Sequence, residues 1–130
     1  MHPNEQAIRD LYAARGRGDL EAVSGLLAPD IDWHEPYEYL GHIHGRGAVI
    51  ESLKETIAAT HGSLEISLHD VVASDEHAVA LVEWRAVRDG RPLAGREVAV
   101  YHVHDRRVDE VWFYTEDTRA GTELFASEAR

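Results

Sequence analysis

The second half of the sequence constrains the fold more than any other feature, because four strand-like segments follow one another there with very short connections. Each segment is rich in valine, leucine and aromatic residues, which favour β-strands. The segments are residues 64–74, 77–89, 93–104 and 107–116. Short turns such as Asp89-Gly90 separate them, so we expect consecutive antiparallel hairpins that form a meander.

The turn between the last two segments departs from the usual pattern of a tight hairpin. It reads Asp105-Arg106, where a two-residue turn usually has Asp-Gly. Either Arg106 adopts a positive φ or the turn is longer. The choice between these two turn conformations affects this loop more than the rest of the sheet.

The first half of the sequence predicts three helices. Apolar residues recur at helical spacing in residues 4–15, and Asp19 is a suitable N-cap for a second, shorter helix. Gly45 leads into a third helix, which ends at His61-Gly62. Because the helices come before the strands, the sequence favours an α+β architecture, and we expect residues 1–130 to form one domain.

A short strand and an aromatic loop lie between the second and third helices. Residues 31–35 alternate in polarity as a strand does, and Pro36 ends the alternation. Residues 36–44 show no clean period, and we expect them to form a loop. Aromatic loops often line functional sites, and this one carries two tyrosines and two histidines.

Composition excludes several classes of protein. The chain has no cysteine, which excludes disulfides, thiol nucleophiles and thiolate metal sites and fits a cytoplasmic location. The sequence contains no apolar run of membrane-helix length, and its start lacks the pattern of a signal peptide. The net charge of -11 would repel nucleic acid and anionic lipid. We therefore expect neither nucleic-acid nor membrane partners.

Three short motifs, together with the order of elements, resemble a known family. They are LAPDIDWHEP at residues 27–36, GRGAVI at 45–50, and VYHV at 100–103 leading to EVW at 110–112. The pattern resembles the NTF2-like cone fold, and in particular its SnoaL-like and ketosteroid-isomerase-related branch. The resemblance implies three helices packed on a strongly curved, mostly antiparallel sheet that encloses a pocket. It also implies a homodimer through the outer face of the sheet and no cofactor.

The end of the last strand carries the candidate acid/base groups. Trp112, Tyr114 and Glu116 share one face of that strand and have the character of a pocket wall. An aromatic environment raises the pKa of a carboxyl group by desolvation, which suits a general acid or base. Related cyclases place an acidic residue near this point, so the resemblance favours Glu116, with Asp117 as the alternative.

The resemblance also assigns a role to a histidine on the preceding strand. In SnoaL-like cyclases a histidine there lies across the cavity from the carboxylate, which matches His102 in this sequence. Such a group can orient a substrate carbonyl or stabilise an enolate, with Tyr114 as a second polarising group. The alternative is a core histidine that is hydrogen-bonded to a neighbour.

Aromatic and polar residues elsewhere are candidates for substrate binding. Trp33 and Glu35 alternate with Asp32 and His34, so only one pair can face the pocket, and the sequence leaves both choices open. The candidate substrate-binding residues are Trp33, His34, Glu35, Tyr37, Tyr39, Trp84 and Trp112.

Metal binding and covalent catalysis have weaker signals. Two His-x-His pairs, at His42-His44 and His102-His104, would place both imidazoles on one face of a strand, as some metal sites require. The first pair lies in the predicted loop and the second near a turn, so we expect no metal. The serines lie in no nucleophile-elbow motif, and residues 41–47 lack the Lys-Ser/Thr of a phosphate loop.

These observations favour a cofactor-independent acid/base enzyme that acts on a small hydrophobic or polycyclic substrate. The expected reaction is proton abstraction beside a carbonyl, leading to isomerisation or aldol-type ring closure. Epoxide opening by water is a close variant. A non-catalytic binding or dimerisation module, or a domain whose cone is filled by its own side chains, is the alternative. This interpretation expects Trp112, Tyr114, Glu116 and His102 to converge on one enclosed pocket with a volume on the order of a few hundred Å³.

Overall fold

The computed structural model describes residues 1–36, 41–116 and 119. Within these residues the helices are α1 (Pro3–Arg17), α2 (Leu20–Gly25) and α3 (Arg46–Ala59). The strands are β1 (Leu27–His34), β2 (His42–His44), β3 (Glu65–Ala73), β4 (His77–Arg88), β5 (Arg91–His104) and β6 (Arg107–Thr115). No helix in this described part is both long and apolar enough to cross a bilayer.

The strands form one curved, unclosed sheet in the order β2-β1-β6-β5-β4-β3. The last four strands form the predicted antiparallel meander. β1 joins the meander by pairing parallel to β6, and β2 pairs antiparallel to β1. The α+β class and the cone-like architecture predicted from the sequence are confirmed. The prediction of a loop throughout residues 36–44 is wrong for β2, because cross-strand hydrogen bonds order a segment too short to show a period.

Irregular pairing bends the long strands around the helices. The register shifts between Leu68 and Asp70 on β3, and again between His102 and Val103 on β5. An extra residue on one strand of a pair increases the local twist and bends the strand. The sheet therefore has a concave inner face, which the helices cover, and a convex outer face.

The core lies between α1, α2 and the concave face of the sheet. Ile8 and Leu11 on α1 pack with Val23 on α2, and all three are fully buried. Asp19 caps α2 as predicted, because its carboxylate accepts a hydrogen bond from the Ala22 backbone N–H at 3.1 Å. These contacts fix α1 and α2 against the concave face of the sheet.

The final hairpin uses a tight turn in spite of lacking glycine. Both Asp105 (φ 49°) and Arg106 (φ 63°) have positive φ, the pattern of a type I′ turn. This confirms the positive φ at Arg106 that the sequence analysis gave as one of two possibilities. The Arg106 guanidinium also donates to the Asp10 carboxylate at 3.1 Å, which ties the turn to α1.

Candidate active site

An apolar pocket lies between α3 and the concave face of the sheet. Leu53 and Ile57 on α3 line one side, and Val82, Trp84 and Phe113 on the sheet line the other. The cavity volume is about 70 Å³. That is smaller than the sequence analysis expected, because large aromatic side chains project into the cone. Since one water molecule needs roughly 10–15 Å³ of cavity volume, the pocket has room for several waters or a small ligand group.

Two carboxyl groups and one guanidinium bring charge into this apolar pocket. Glu35 follows β1, Glu97 lies on β5, and Arg15 lies near the end of α1. All three side chains are half-buried. Charged groups at a largely apolar site are rare unless they pair or change protonation state, so this group is the main functional candidate.

The environment shifts the pKa of both carboxyl groups upward. Burial is the largest cause for Glu35, the negative charge of Glu97 adds to it, and the pKa of Glu35 rises to about 8. Burial also raises the pKa of Glu97. The positive charge of Arg15 opposes both shifts without cancelling them. At neutral pH Glu35 is therefore mostly protonated and able to donate a proton.

Aromatic rings contact the Arg15 guanidinium, and one of them belongs to a buried tyrosine pair. The Arg15 guanidinium carbon lies 5.6 Å from the centre of the Tyr12 ring and 5.7 Å from that of Trp33, within cation–π range. The Tyr12 and Tyr101 hydroxyls are hydrogen-bonded at 2.6 Å in the core. Burial raises the pKa of both tyrosines well above the usual value, so the pair stays neutral. Arg15 is thus the cation that faces Glu35 and Glu97 from α1.

The family model for the SnoaL-like domain matches residues 8–111 of this sequence. The chain belongs to the SnoaL-like family. The match runs from α1 to β6 and includes Arg15, Glu35 and Glu97. Family membership and the fold agree with the resemblance found in the sequence motifs.

Similar proteins support the assignment of this chain to the SnoaL-like family. Uncharacterized proteins of Mycobacterium bovis and Mycobacterium tuberculosis are 31% identical to it over 121 residues, which is 91% of this chain and 92% of theirs. Among solved structures, Bal32a from a soil-derived mobile gene cassette has a TM-score of 0.88 at 25% identity, covering 95% of this chain and 96% of its own. An NTF2-like protein of unknown function from Burkholderia pseudomallei has a TM-score of 0.84 at 25% identity, covering 98% and 100%. These likenesses establish the fold and family but no reaction.

Three of the residues proposed from the sequence line the pocket of the SnoaL-like protein. They are Trp33, Glu35 and Trp84. The structure resolves the choice that alternation left open, because Trp33 and Glu35 face inward while Asp32 and His34 face outward. The Trp33 ring packs on Phe113 with 4.8 Å between ring centres.

The prediction that one face of the last strand forms the pocket wall is wrong. Trp112, Tyr114 and Glu116 lie on the outer face, and their neighbour Phe113 lines the pocket instead. Tyr114 is 58% exposed, and the Glu116 carboxylate accepts hydrogen bonds from Arg96 at 2.9–3.1 Å. Both faces of β6 are apolar, so alternation in this strand does not reveal which face is buried.

The two predicted histidines also lie on the outer face. The His102 imidazole is hydrogen-bonded to the Asp109 carboxylate, which the bulge in the β5–β6 pairing brings beside it. His34 donates to Glu110 at 2.8 Å and stacks on Trp112. The prediction that His102 lies across the cavity is therefore wrong. The prediction that His34 lies in the substrate-binding site is also wrong. Tyr37, Tyr39 and Asp117 lie outside the described residues.

Arg15, Glu97 and Phe113 are pocket residues that the sequence analysis missed. Arg15 had a detectable signal, because it follows Ile8 and Leu11 at the seven- and four-residue spacings that place side chains on one face of a helix. Glu97 shares a strand face with the fully buried Tyr101. Its signal was weak, since valines occupy the opposite face of the same strand.

A second polar cluster lies on the outer face, where β1 pairs with β2. The Asp32 carboxylate accepts hydrogen bonds from His42 Nε2 at 2.7 Å and from His44 Nδ1 at 2.8 Å. These hydrogen bonds lower the pKa of Asp32, and the bond from His44 has the larger effect. In the described part of the chain, Asp32, His42 and His44 are a set of side chains able to hold a metal ion. We call these three residues the outer-face cluster.

Proposed function

We propose that this protein is a cofactor-independent acid/base enzyme that acts on a small hydrophobic substrate containing a carbonyl group. One observation carries the proposal: two carboxyl groups with raised pKa values and one guanidinium converge in an apolar pocket. Titratable groups are perturbed in this way more often at functional sites than elsewhere. The family includes cyclases and isomerases, which supports the same class of chemistry.

In this mechanism Glu97 removes a proton from the carbon beside the carbonyl group, and Arg15 favours the ionised form that this role requires. The electron pair of the broken C–H bond moves onto the carbonyl oxygen. Protonated Glu35 donates a hydrogen bond or a proton to that oxygen, and the Arg15 charge stabilises the enolate. Return of the proton to another carbon gives an isomer, and attack of the enolate on a second carbonyl gives ring closure.

The pocket favours a small substrate over a polycyclic one. Its volume of about 70 Å³ accommodates one small ring or a short chain among the aromatic side chains. The apolar walls would displace water from the reacting atoms, which strengthens the interactions of Arg15 and Glu35 with developing charge.

Deuterium exchange tests the proposal without knowledge of the natural substrate. Small aliphatic and single-ring ketones are incubated with the enzyme in D₂O, and loss of the proton signals beside the carbonyl is followed by NMR. We expect exchange with at least one ketone, and we expect Glu97→Gln to slow it about 100-fold or more. Glu83→Gln, an isosteric change on the exposed face of β4, is the matched control and should leave the rate unchanged.

The variant Glu116→Gln separates this mechanism from the one that the sequence alone predicted. Loss of exchange in Glu116→Gln together with full activity in Glu97→Gln would overturn the assignment of the base. Ketones that bind, as shown by ligand-observed NMR, but exchange at the same rate with and without protein would show a binding module instead. Calorimetry on Arg15→Gln then tests whether Arg15 holds the ligand.

We further propose that the protein forms a homodimer through its outer sheet face. Two cross-strand rows of apolar side chains lie on this face, and they are Val79-Val100-Trp112 and Leu81-Val98-Tyr114. Leu81 is 40% exposed and Val98 36% exposed. Contiguous exposed apolar side chains mark interaction surfaces, and a second copy of the same face would cover them.

A further inference from the structure

The pairing of β1 with β2 brings the outer-face cluster together from two neighbouring strands. In this antiparallel register Asp32 lies opposite His44, and His34 lies opposite His42. Residues that face each other across paired strands, and those two positions further along, project from the same side of the sheet. Two imidazoles and one carboxylate therefore converge because of the register, rather than through a chance contact of long side chains.

We propose that Asp32, His42 and His44 bind a divalent transition-metal ion of the Zn²⁺ class. One possible ligand atom from each residue lies within 4.8 Å of the others. Imidazole nitrogen and carboxylate oxygen are the ligands that zinc and its neighbours accept in proteins. The three side chains leave further coordination positions to water or another ligand.

The observed distances require only a small adjustment for the ion to enter. Tetrahedral coordination with metal–ligand bonds of about 2.0–2.1 Å separates ligand atoms by about 3.3 Å. The two imidazole nitrogens are now 2.7 and 2.8 Å from the same Asp32 oxygen. The side chains of Asp32, His42 and His44 are 36%, 52% and 64% exposed, so they can move outward by this amount. Each imidazole keeps one proton, which moves to the ring nitrogen that does not bind the metal.

Neighbouring aromatic rings orient the cluster without joining it. His34 stacks on His42 with 4.7 Å between ring centres and 10° between ring planes. Trp112 also stacks on the His34 ring, with 5.5 Å between ring centres. The lone pairs of an imidazole lie in its ring plane, so the parallel His34 and His42 rings do not aim at one point. His34 also donates to Glu110. We assign His34 as a positioning residue that restrains the His42 ring.

The metal would connect an edge strand to the sheet and would act apart from the pocket. β2 is only three residues long and lies at the edge of the sheet. Asp32 points away from the pocket that Trp33 and Glu35 face, so the ion does not contact the proposed acid/base groups. The expected consequence is a more stable β1–β2 pair, because a ligand that binds only the folded state stabilises it.

The test uses untagged protein freed of metal by chelation. Titration with Co²⁺ should produce visible absorption bands from bound cobalt, and calorimetry with Zn²⁺ should show one ion per chain. We expect His42→Ala, His44→Ala and Asp32→Asn each to weaken Zn²⁺ binding at least tenfold. Saturating Zn²⁺ should raise the melting temperature of the unmodified protein by several degrees but not that of His44→Ala.

Two matched histidine variants control for other sites. His69→Ala removes an exposed histidine from β3, and His77→Ala disrupts the His77–His102 ring pair, whose centres are 5.3 Å apart on the same face of the sheet. Both should bind Zn²⁺ as the unmodified protein does. The proposal is overturned if the unmodified protein binds neither Co²⁺ nor Zn²⁺ at millimolar concentration. It is also overturned if His77→Ala abolishes binding while His44→Ala retains it. Because the cobalt titration needs no variant, a variant that fails to fold leaves the test intact.

Discussion

At the scale of single residues, the environment of Glu35 decides the proposed chemistry. The sequence shows a glutamate two residues after a tryptophan, but burial and the nearby Glu97 raise its pKa to about 8. A solvated glutamate would be ionised at neutral pH and unable to donate a proton. In the proposed mechanism Glu35 therefore acts as an acid, whereas the exposed Glu116 pairs with Arg96.

The first prediction at this scale concerns pH. Because Glu35 is proposed to act as an acid, exchange of the ketone probes should decline as the pH rises through about 8. NMR exchange rates between pH 5 and 9.5 measure this decline. A rate that stays level from pH 7 to 9.5 contradicts the role of Glu35.

The same shift makes a prediction about stability. The folded-state pKa of Glu35 lies above the ordinary value of 4.5, so protonated Glu35 favours folding at low pH. This contribution is complete below the unfolded-state pKa and is lost as the pH rises through the folded-state value. We therefore compare the free energy of unfolding of Glu35→Gln with that of the unmodified protein. The value for the variant minus the value for the unmodified protein should increase from about pH 4.5 to 8 and then level off. Urea titrations at several pH values measure the difference, and parallel curves for the two proteins would contradict the raised pKa.

A glycine beside the pocket gives a further prediction. A Cβ built on Gly95 would lie 2.7–2.9 Å from the Trp84 indole, which crosses over that position from the paired strand. Gly95→Ala should destabilise the protein by about 1–3 kcal/mol through overpacking, as measured by urea denaturation. Gly16→Ala is the control, because nothing lies within 4 Å of a Cβ at that helical position, and it should stabilise by about 0.5–1 kcal/mol. Equal effects of the two changes would contradict the close approach.

At the scale of elements, prediction succeeded where a segment had one apolar face. The amphipathic pattern of α1 and the Asp19 cap of α2 gave helices close to those observed. It failed at β2, whose three residues are ordered by pairing with β1, and at the orientation of β6, whose two faces are both apolar. Local sequence determines the type of an element, but a partner strand determines the face it buries.

The β5–β6 turn supplies the prediction at this scale. Arg106 has a positive φ, which is strained for a residue with a Cβ, and its guanidinium pairs with Asp10. Arg106→Gly and Arg106→Ala both remove the ion pair, but only glycine relieves the strain. Arg106→Gly should therefore be more stable than Arg106→Ala by about 1 kcal/mol in urea denaturation. The opposite order would show that the turn does not have the described conformation.

At the scale of the whole molecule, we propose separate roles for the two faces of the sheet. The concave face holds the charged pocket, and the convex face carries the apolar rows and the outer-face cluster. Residues that the sequence analysis placed in the active site, such as Trp112 and Tyr114, belong to the convex face and hence to the proposed dimer surface.

The oligomeric state of the protein tests whether the convex face is a dimer interface. Val98→Glu places a charge at the centre of the apolar rows, so it should convert the proposed dimer to a monomer, as measured by light scattering during size-exclusion chromatography. Ala58→Glu adds the same charge to an exposed position of α3 and should leave the dimer intact. A monomer before substitution, at all concentrations measured, would contradict the proposed interface.

The sequence by itself determined the class of fold, the order of the elements apart from β2, and the family, because helix periodicity, turn residues and short motifs are local properties of the chain. It also identified Trp33, Glu35 and Trp84 as candidate pocket residues. Only the tertiary structure decided which face of each strand lies on the concave side of the sheet. It therefore decided that Glu97 and Arg15 line the pocket with Glu35, while Glu116 and His102 do not. The physical reason is that burial and charge proximity, which set pKa values, arise from residues far apart in the chain.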